Sequence, residues 1–174
     1  MGNDDLAMAP HGVHPCAGDD HWVAIACQDD ERWRALCELL GRHDLAEDVA
    51  LRGASGRLAQ RERLHEAVSA WTADQAPDDV AARCQAVGVA AYTVQSSVEC
   101  LADPQLAHRG HFVRLDHPQR GCLVEASRCR LSRTPGSPRR YAPQLGEHTV
   151  EVLTGFLGYD ADRVADLAAA EVLE

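Results

Sequence analysis

The apolar positions recur at a helical period through the first two thirds of the chain. Near residue 112 they switch to a period of two. Trp22-Val-Ala-Ile-Ala-Cys27 is a continuous apolar run between Asp19-Asp20 and Asp29-Asp30, which predicts a short buried strand. Residues 1–21 carry Pro10, Pro15, Gly12 and Gly18, and predict an irregular opening segment. Asp29 or Asp30 then starts a helix, because a carboxylate accepts the free N–H groups of a first turn. Trp33, Leu36, Cys37 and Leu40 form its apolar face, and Gly41 ends it. Residues 42–56, with Gly53 and Gly56, predict a loop or broken helix. A long helix is expected from about Arg57 to Gln75, with Leu64, Ala67, Val68 and Trp71 as its stripe. Pro77 suits the first turn of a third helix, lined by Val80, Cys84 and Val87 and ended by Gly88. Val89 to Val94 predicts a strand, and Ser96–Ala102 and Pro104–Arg109 predict two short helices.

Beyond the switch, Phe112–Asp116, Gly121–Glu125 and Ser127–Leu131 read as antiparallel strands, with a turn at Pro118 to Gly121. Residues 132–146 hold Pro135, Pro138, Pro143, Gly136 and Gly146, the composition of a linker. Two amphipathic helices close the chain. The first shows Val150, Leu153, Thr154 and Leu157 on one face; the second, capped by Asp160, carries Val164, Leu167 and Ala168. The fold class expected is α+β: helices with a small antiparallel sheet, then a Pro-rich linker and C-terminal helices. The domain reading is an opening segment at 1–21, a small α+β domain at 22–132, and a linker with docking helices at 133–174. A proline-rich linker followed by two amphipathic helices predicts a tail that docks on the body of the protein or on another chain.

Composition narrows the function. The chain has 174 residues and a formal net charge of −10. All 17 basic residues are Arg, with no Lys, and Ile25 and Asn3 are the sole members of their types. That bias reports a GC-rich genome before it reports function. The acidic balance argues against nucleic acid as a partner and against an anionic membrane. No apolar run reaches the roughly 20 residues of a membrane span. The N-terminus lacks the basic start and apolar core of a signal peptide. Seven Cys occur without a Cys-x-x-Cys pair, so they read as reduced core residues of a cytoplasmic protein.

Candidate chemistry is sparse. His11-Gly-Val-His14 has His-x-x-His spacing on an expected loop, where it could reach a substrate. A metal site would need further ligands, and only Cys16 is near in sequence. His108 and His111 repeat the spacing at a helix-to-strand junction. Gly53-Ala-Ser-Gly56 is followed by Arg57, not Gly, and follows no predicted strand, so it is not a nucleophile elbow. No phosphate-binding loop with Lys is available. Arg128, Arg130, Arg133, Arg139 and Arg140 place five positive charges in thirteen residues with no acid among them, while residues 1–50 hold eleven acids and three Arg. The cluster reads either as an anion contact (a phosphate, or an acidic partner face) or as a solvated edge balancing an acidic neighbour. The acidic pairs fall at helix starts and turns, where capping explains them.

Five stretches resemble one family in order. Met8-Ala-Pro-His-Gly-Val-His-Pro-Cys-Ala-Gly-Asp-Asp-His-Trp-Val-Ala-Ile-Ala26 is similar to the opening of the small domain of family III CoA-transferases, the group that includes formyl-CoA and carnitine CoA-transferases. Trp33–Ala46 resembles the helix and loop that follow, and Leu101–Gly110 the segment before the small sheet. Asp116-His-Pro118 with Gly121 fits the hairpin, and Pro143–Thr149 with Val152-Leu153 and Leu157-Gly158 fits the C-terminal signature. The resemblance covers nearly the whole chain. It implies CoA transfer from an acyl-CoA to a carboxylic acid, through a mixed anhydride and an aspartyl–CoA thioester on a catalytic Asp.

In the family that Asp, and most of the CoA surface, belong to a large Rossmann-like domain with no counterpart in this chain. No catalytic residue is therefore carried over. The resemblance implies a large-domain partner chain, a hetero- or homo-oligomer, CoA as substrate and no permanently bound cofactor. The family's substrate-facing loop, Gly-rich in formyl-CoA-type members, corresponds to Ala9, Pro10, His11, Gly12, Val13 and His14, with one Gly. A less mobile loop and a different acceptor preference are expected. Gly88-Val-Ala-Ala91 stands where Gly-Val-Pro-Ala is usual. α-Methylacyl-CoA racemases share the superfamily and often carry Glu-Pro-Gln-aromatic where this chain has Asp30-Glu-Arg-Trp33, the form closer to the transferases. A non-catalytic scaffold or a truncated member are the other readings.

Overall fold

The computed structural model describes residues 2–116 and 121–173. It is α+β and divides into two compact units, Met1–Ser96 and Ser97–Glu174.

The first unit is a three-stranded antiparallel sheet with helices on one face. Strands β1 (His11–Pro15), β2 (Trp22–Ala26) and β3 (Ala90–Thr93) lie in the order β1-β2-β3. Gly12 faces Ile25, and His14 faces Val23. These four residues are buried and Ala91 and Thr93 are half-buried, so alternate positions define the inner face. Against it pack α1 (Asp30–Leu40), α4 (Arg61–Thr72) and α5 (Pro77–Ala86), supplying Trp33, Leu36, Cys37, Leu64, Val68, Val80 and Cys84 to the core. Between them run α2 (His43–Glu47), a 3₁₀ turn at Val49–Leu51 and α3 (Gly53–Ala59), which add Leu45 and Leu51.

The capping residues act as the sequence suggests. Asp29 accepts from the Arg32 N–H at 2.9 Å, and Gly41 ends α1 at φ 68°, a left-handed conformation that glycine adopts without a Cβ clash. Gly56 has a different reason: a Cβ there would collide with the Ala50 carbonyl, so α3 lies hard against the Val49–Leu51 turn.

The second unit starts with α6 (Ser97–Ala102) and α7 (Pro104–His108), the latter capped by Asp103 accepting from Leu106 N–H at 2.8 Å. The hairpin of β4 (Phe112–Leu115) and β5 (Cys122–Glu125) follows, in antiparallel register. Residues 132–146 form neither helix nor strand, apart from the start of a turn. Helix α8 (Thr149–Glu151) runs into a π-helical turn at Val152–Phe156, and α9 (Ala161–Ala169) is capped by Asp160. Among the described residues of this unit no hydrophobic side chain is buried, while Val98, Leu145, Phe156 and Leu157 are exposed. Its sequence is patterned for burial that its own fold does not supply.

Four expectations are corrected. The opening segment is not irregular: β1 lies in it, hidden because His14 occupies an inward position that a strand pattern reserves for an aliphatic. The segment therefore belongs to the first unit, and the division falls at Ser96/Ser97 rather than at 21 and 132. The long helix from Arg57 is broken at Gln60, φ −119°, where Arg57 turns its side chain into the interior. Ser127–Leu131 is not a strand. There the Ser127 hydroxyl accepts from Cys129 N–H at 3.3 Å and donates to its carbonyl at 3.1 Å, a local bonding that competes with a ladder. The expected turn at Pro118 lies outside the described residues.

Candidate functional site

The expected substrate loop is an anchored strand. The Ala9 carbonyl accepts from Arg57 Nε at 2.7 Å, and the Pro10 carbonyl from Cys27 N–H at 2.9 Å. Ala9–Pro10 is a cis peptide. Arg57, 1% exposed, also donates to Asp30 at 2.6 Å and to the Leu51 carbonyl at 3.5 Å. One guanidinium thus ties together the start of β1, the start of α1 and the Val49–Leu51 turn. Sequence reasoning missed it. The available signal was an Arg at an inward helical position beside Leu58, which reads first as a helix start.

The strand splits the candidate residues between two environments. Residues three apart in a strand point to opposite faces, so His11 and His14 do not form a pair. His11 is exposed and donates from Nδ1 to the Asn3 carbonyl at 2.7 Å. His11 and Val13 lie on the outer sheet face with Ala24, Ala26 and Tyr92, around an open cavity of about 490 Å³. Among the described residues that face carries no Arg, Asp or Glu.

His14 points inward. Its Nδ1 bonds the Ser69 hydroxyl at 2.9 Å, its ring lies 4.6 Å from that of His65, and its Nε2 is buried without a partner among the described residues. Burial, with His65 beside it, lowers its pKa to about 4, so it is neutral near pH 7. Gly12 shares this side: a Cβ there would meet the His65 and His14 rings at 3.5 and 3.7 Å. His14 is therefore a core histidine. Among the described residues, no three His, Cys, Asp or Glu are arranged to hold a metal ion.

Other reactive groups are muted. Burial pushes the Cys27 and Cys37 thiols up to about 12 and Cys84 to about 11, so these three are not thiolate nucleophiles. Ser55 lies inside α3, not on a strand-to-helix elbow.

The arginine cluster is divided as well. Arg128 and Arg130 line one cavity of about 830 Å³ with Arg109, His111, Phe112 and Glu125. Arg128 lies 3.8 Å from Glu125, as does His111, and Arg130 donates to the Arg109 carbonyl. Arg133, Arg139 and Arg140 are exposed on the extended segment outside that cavity. Arg109 was missed because it stands nineteen positions before Arg128. His108 is exposed at the end of α7, apart from His111, whose ring meets Phe112 edge-on.

The profile described as CoA-transferase family III matches residues 1–149. The chain belongs to that family. It is 36% identical over 165 residues to a probable CoA-transferase of Mycobacterium tuberculosis, covering 94% of this chain and 21% of that protein. It is 32% identical over 166 residues to the beta subunit of succinyl-CoA–L-malate CoA-transferase of Chloroflexus aurantiacus, covering 94% of this chain and 41% of the relative. The fold is similar to that of a CaiB/BaiF family protein from Brucella suis, at a TM-score of 0.70 and 28% identity, covering 89% of this chain and 39% of that one. The chain thus spans between a fifth and two fifths of these relatives. No helix among the described residues is long and apolar enough to cross a membrane.

Proposed function

We propose that this chain is the small-domain part of a CoA-transferase that moves CoA between an acyl-CoA and a carboxylic acid. It works with a large domain that supplies the nucleophilic Asp and most of the CoA surface. The observation that carries the reading is a family match over residues 1–149 in a chain that spans 41% or less of the relatives compared. The exposed Leu145, Val150, Phe156 and Leu157 of the C-terminal segment support a docked partner there. The buried thiols Cys27, Cys37 and Cys84, held protonated, offer no nucleophile.

In this reading the segment Ala9 to His14 serves by being held. Arg57, the Cys27 amide and the β1–β2 ladder fix it, while His11 and Val13 present an outer face without Arg, Asp or Glu. Covering the reacting groups with such a face excludes water from a hydrolysable anhydride or thioester. A pre-ordered face also costs less entropy to dock than a mobile loop. CoA enters as substrate, not as a resident cofactor, and the setting is cytoplasmic.

The test is CoA transfer by the purified chain, alone and with a large-domain polypeptide of the family. The expected result is no turnover alone and transfer when combined. Robust turnover by the chain alone overturns the reading. In the combined enzyme, His11→Ala and Val13→Thr are expected to alter kcat or acceptor preference. A change in assembly alone identifies a scaffold.

A further inference from the structure

One cavity of the second unit has no part in the proposed transfer. Helices α6 and α7 and the β4–β5 hairpin line an open cavity of about 830 Å³, within the size range of pockets that hold small organic molecules. Its apolar lining comes from Leu101, Leu106, Phe112 and Leu123. Phe112 lies opposite Glu125, and Leu123 opposite Arg114, so Phe112, Leu123 and Glu125 share one face of the hairpin.

The polar lining is unbalanced. Among the described residues, three guanidiniums, Arg109, Arg128 and Arg130, stand against the carboxylate of Glu125. Arg130 is held by its bond to the Arg109 carbonyl, whereas Arg128 makes a loose contact with Glu125 at 3.8 Å and stays 81% exposed. An apolar surface beside an excess of positive charge matches a ligand with one apolar and one anionic end. A neutral ligand would leave the arginines without an anion. A small anion would gain little, because exposed ion pairs are weak in water. The apolar chain supplies the affinity by leaving water, and the head group sets its direction.

We propose that this cavity binds an amphipathic organic anion, its apolar chain against Leu101, Leu106, Phe112 and Leu123 and its carboxylate or phosphate head at Arg109 and Arg128. The inference stands apart from the transferase reading, and its test uses no CoA substrate, so the two fail separately.

The test is calorimetric titration of the 174-residue chain with decanoate, decyl phosphate, decanol, acetate and inorganic phosphate. Saturable binding of decanoate or decyl phosphate is expected, with decanol at least tenfold weaker and no saturation by acetate or inorganic phosphate. The tighter of the two amphiphiles tells a fatty carboxylate from a phosphate ester. Arg109→Gln with Arg128→Gln is expected to weaken binding at least tenfold. Leu101, 50% exposed, can become Trp without entering a packed core, and Leu101→Trp is expected to block the cavity while leaving the circular dichroism unchanged. No saturation by either amphiphile, decanol binding as tightly as decanoate, or binding untouched by both Leu101→Trp and the arginine pair overturns the proposal.

Discussion

Acidification to pH 5 is expected to weaken the first unit through one residue, His14. In the folded chain its pKa is about 4, against 6.5 for the unpaired side chain, because burial and His65 disfavour the imidazolium. The unfolded chain therefore binds more protons between these values, and stability falls as pH drops. The stabilisation is fully present above 6.5 and is lost progressively down to about 4. The difference of 6.5 and about 4 is roughly 2.5 units, or about 3 kcal/mol in total at 1.36 kcal/mol per unit. About 2 kcal/mol of that is lost between pH 7.5 and pH 5. The groups around the ring are His65 and Ser69, with His11, Asp4, Asp5 and Arg61 about the small neighbouring cavity. The carboxylates held low by hydrogen bonds, Asp29, Asp44 and Asp48, lose their contribution only below about pH 4, outside this window. Urea unfolding at pH 7.5, 6 and 5 measures the effect, with a midpoint shift of about 1 M for a slope near 2 kcal/mol/M. His14→Phe is the control: its stability should be nearly flat over the same range. A wild-type chain flat from pH 7.5 to 5, or a variant with the same slope, refutes the reasoning.

Arg57→Met should destabilise by about 3 kcal/mol in urea unfolding, since it leaves the buried Ala9 carbonyl without a donor and Asp30 without its partner. Amide exchange over residues 9–14 should rise in the same variant before the rest of the unit opens. Thr72→Val should cost about 1–2 kcal/mol, because the Thr72 hydroxyl donates to the Pro15 carbonyl at 2.6 Å in a fully buried position. A disulfide-exchange thiol reagent should label exposed Cys129 at once and Cys27, Cys37 and Cys84 only after denaturant is added; immediate labelling of Cys27 would contradict its burial.

Much of the architecture was legible because local rules agree with it. Asp29, Gly41, Pro77, Asp103 and Asp160 mark helix ends through backbone chemistry that operates within a few residues. The period-2 runs of Phe112–Leu115 and Cys122–Glu125 likewise declare a hairpin on their own. The family resemblance rested on motif order along the chain, which needs no three-dimensional information.

The site was not legible in that way. His11 and His14 look equivalent in sequence, yet strand pairing puts one on an open face and the other in the core. Arg57 looks like a helix-start residue, yet its three acceptors lie six, 27 and 48 positions away. Arg109 joins Arg128 and Arg130 only because α7 and the hairpin fold together, while Arg133, Arg139 and Arg140, adjacent in sequence, stay apart. By itself, then, the sequence determined the capped helix ends, the second hairpin, the charge balance and the family. Tertiary structure decided which polar side chains are buried and which share a cavity. The reason is physical: capping and periodicity are satisfied by near neighbours, whereas burial and charge grouping depend on contacts between segments far apart along the chain.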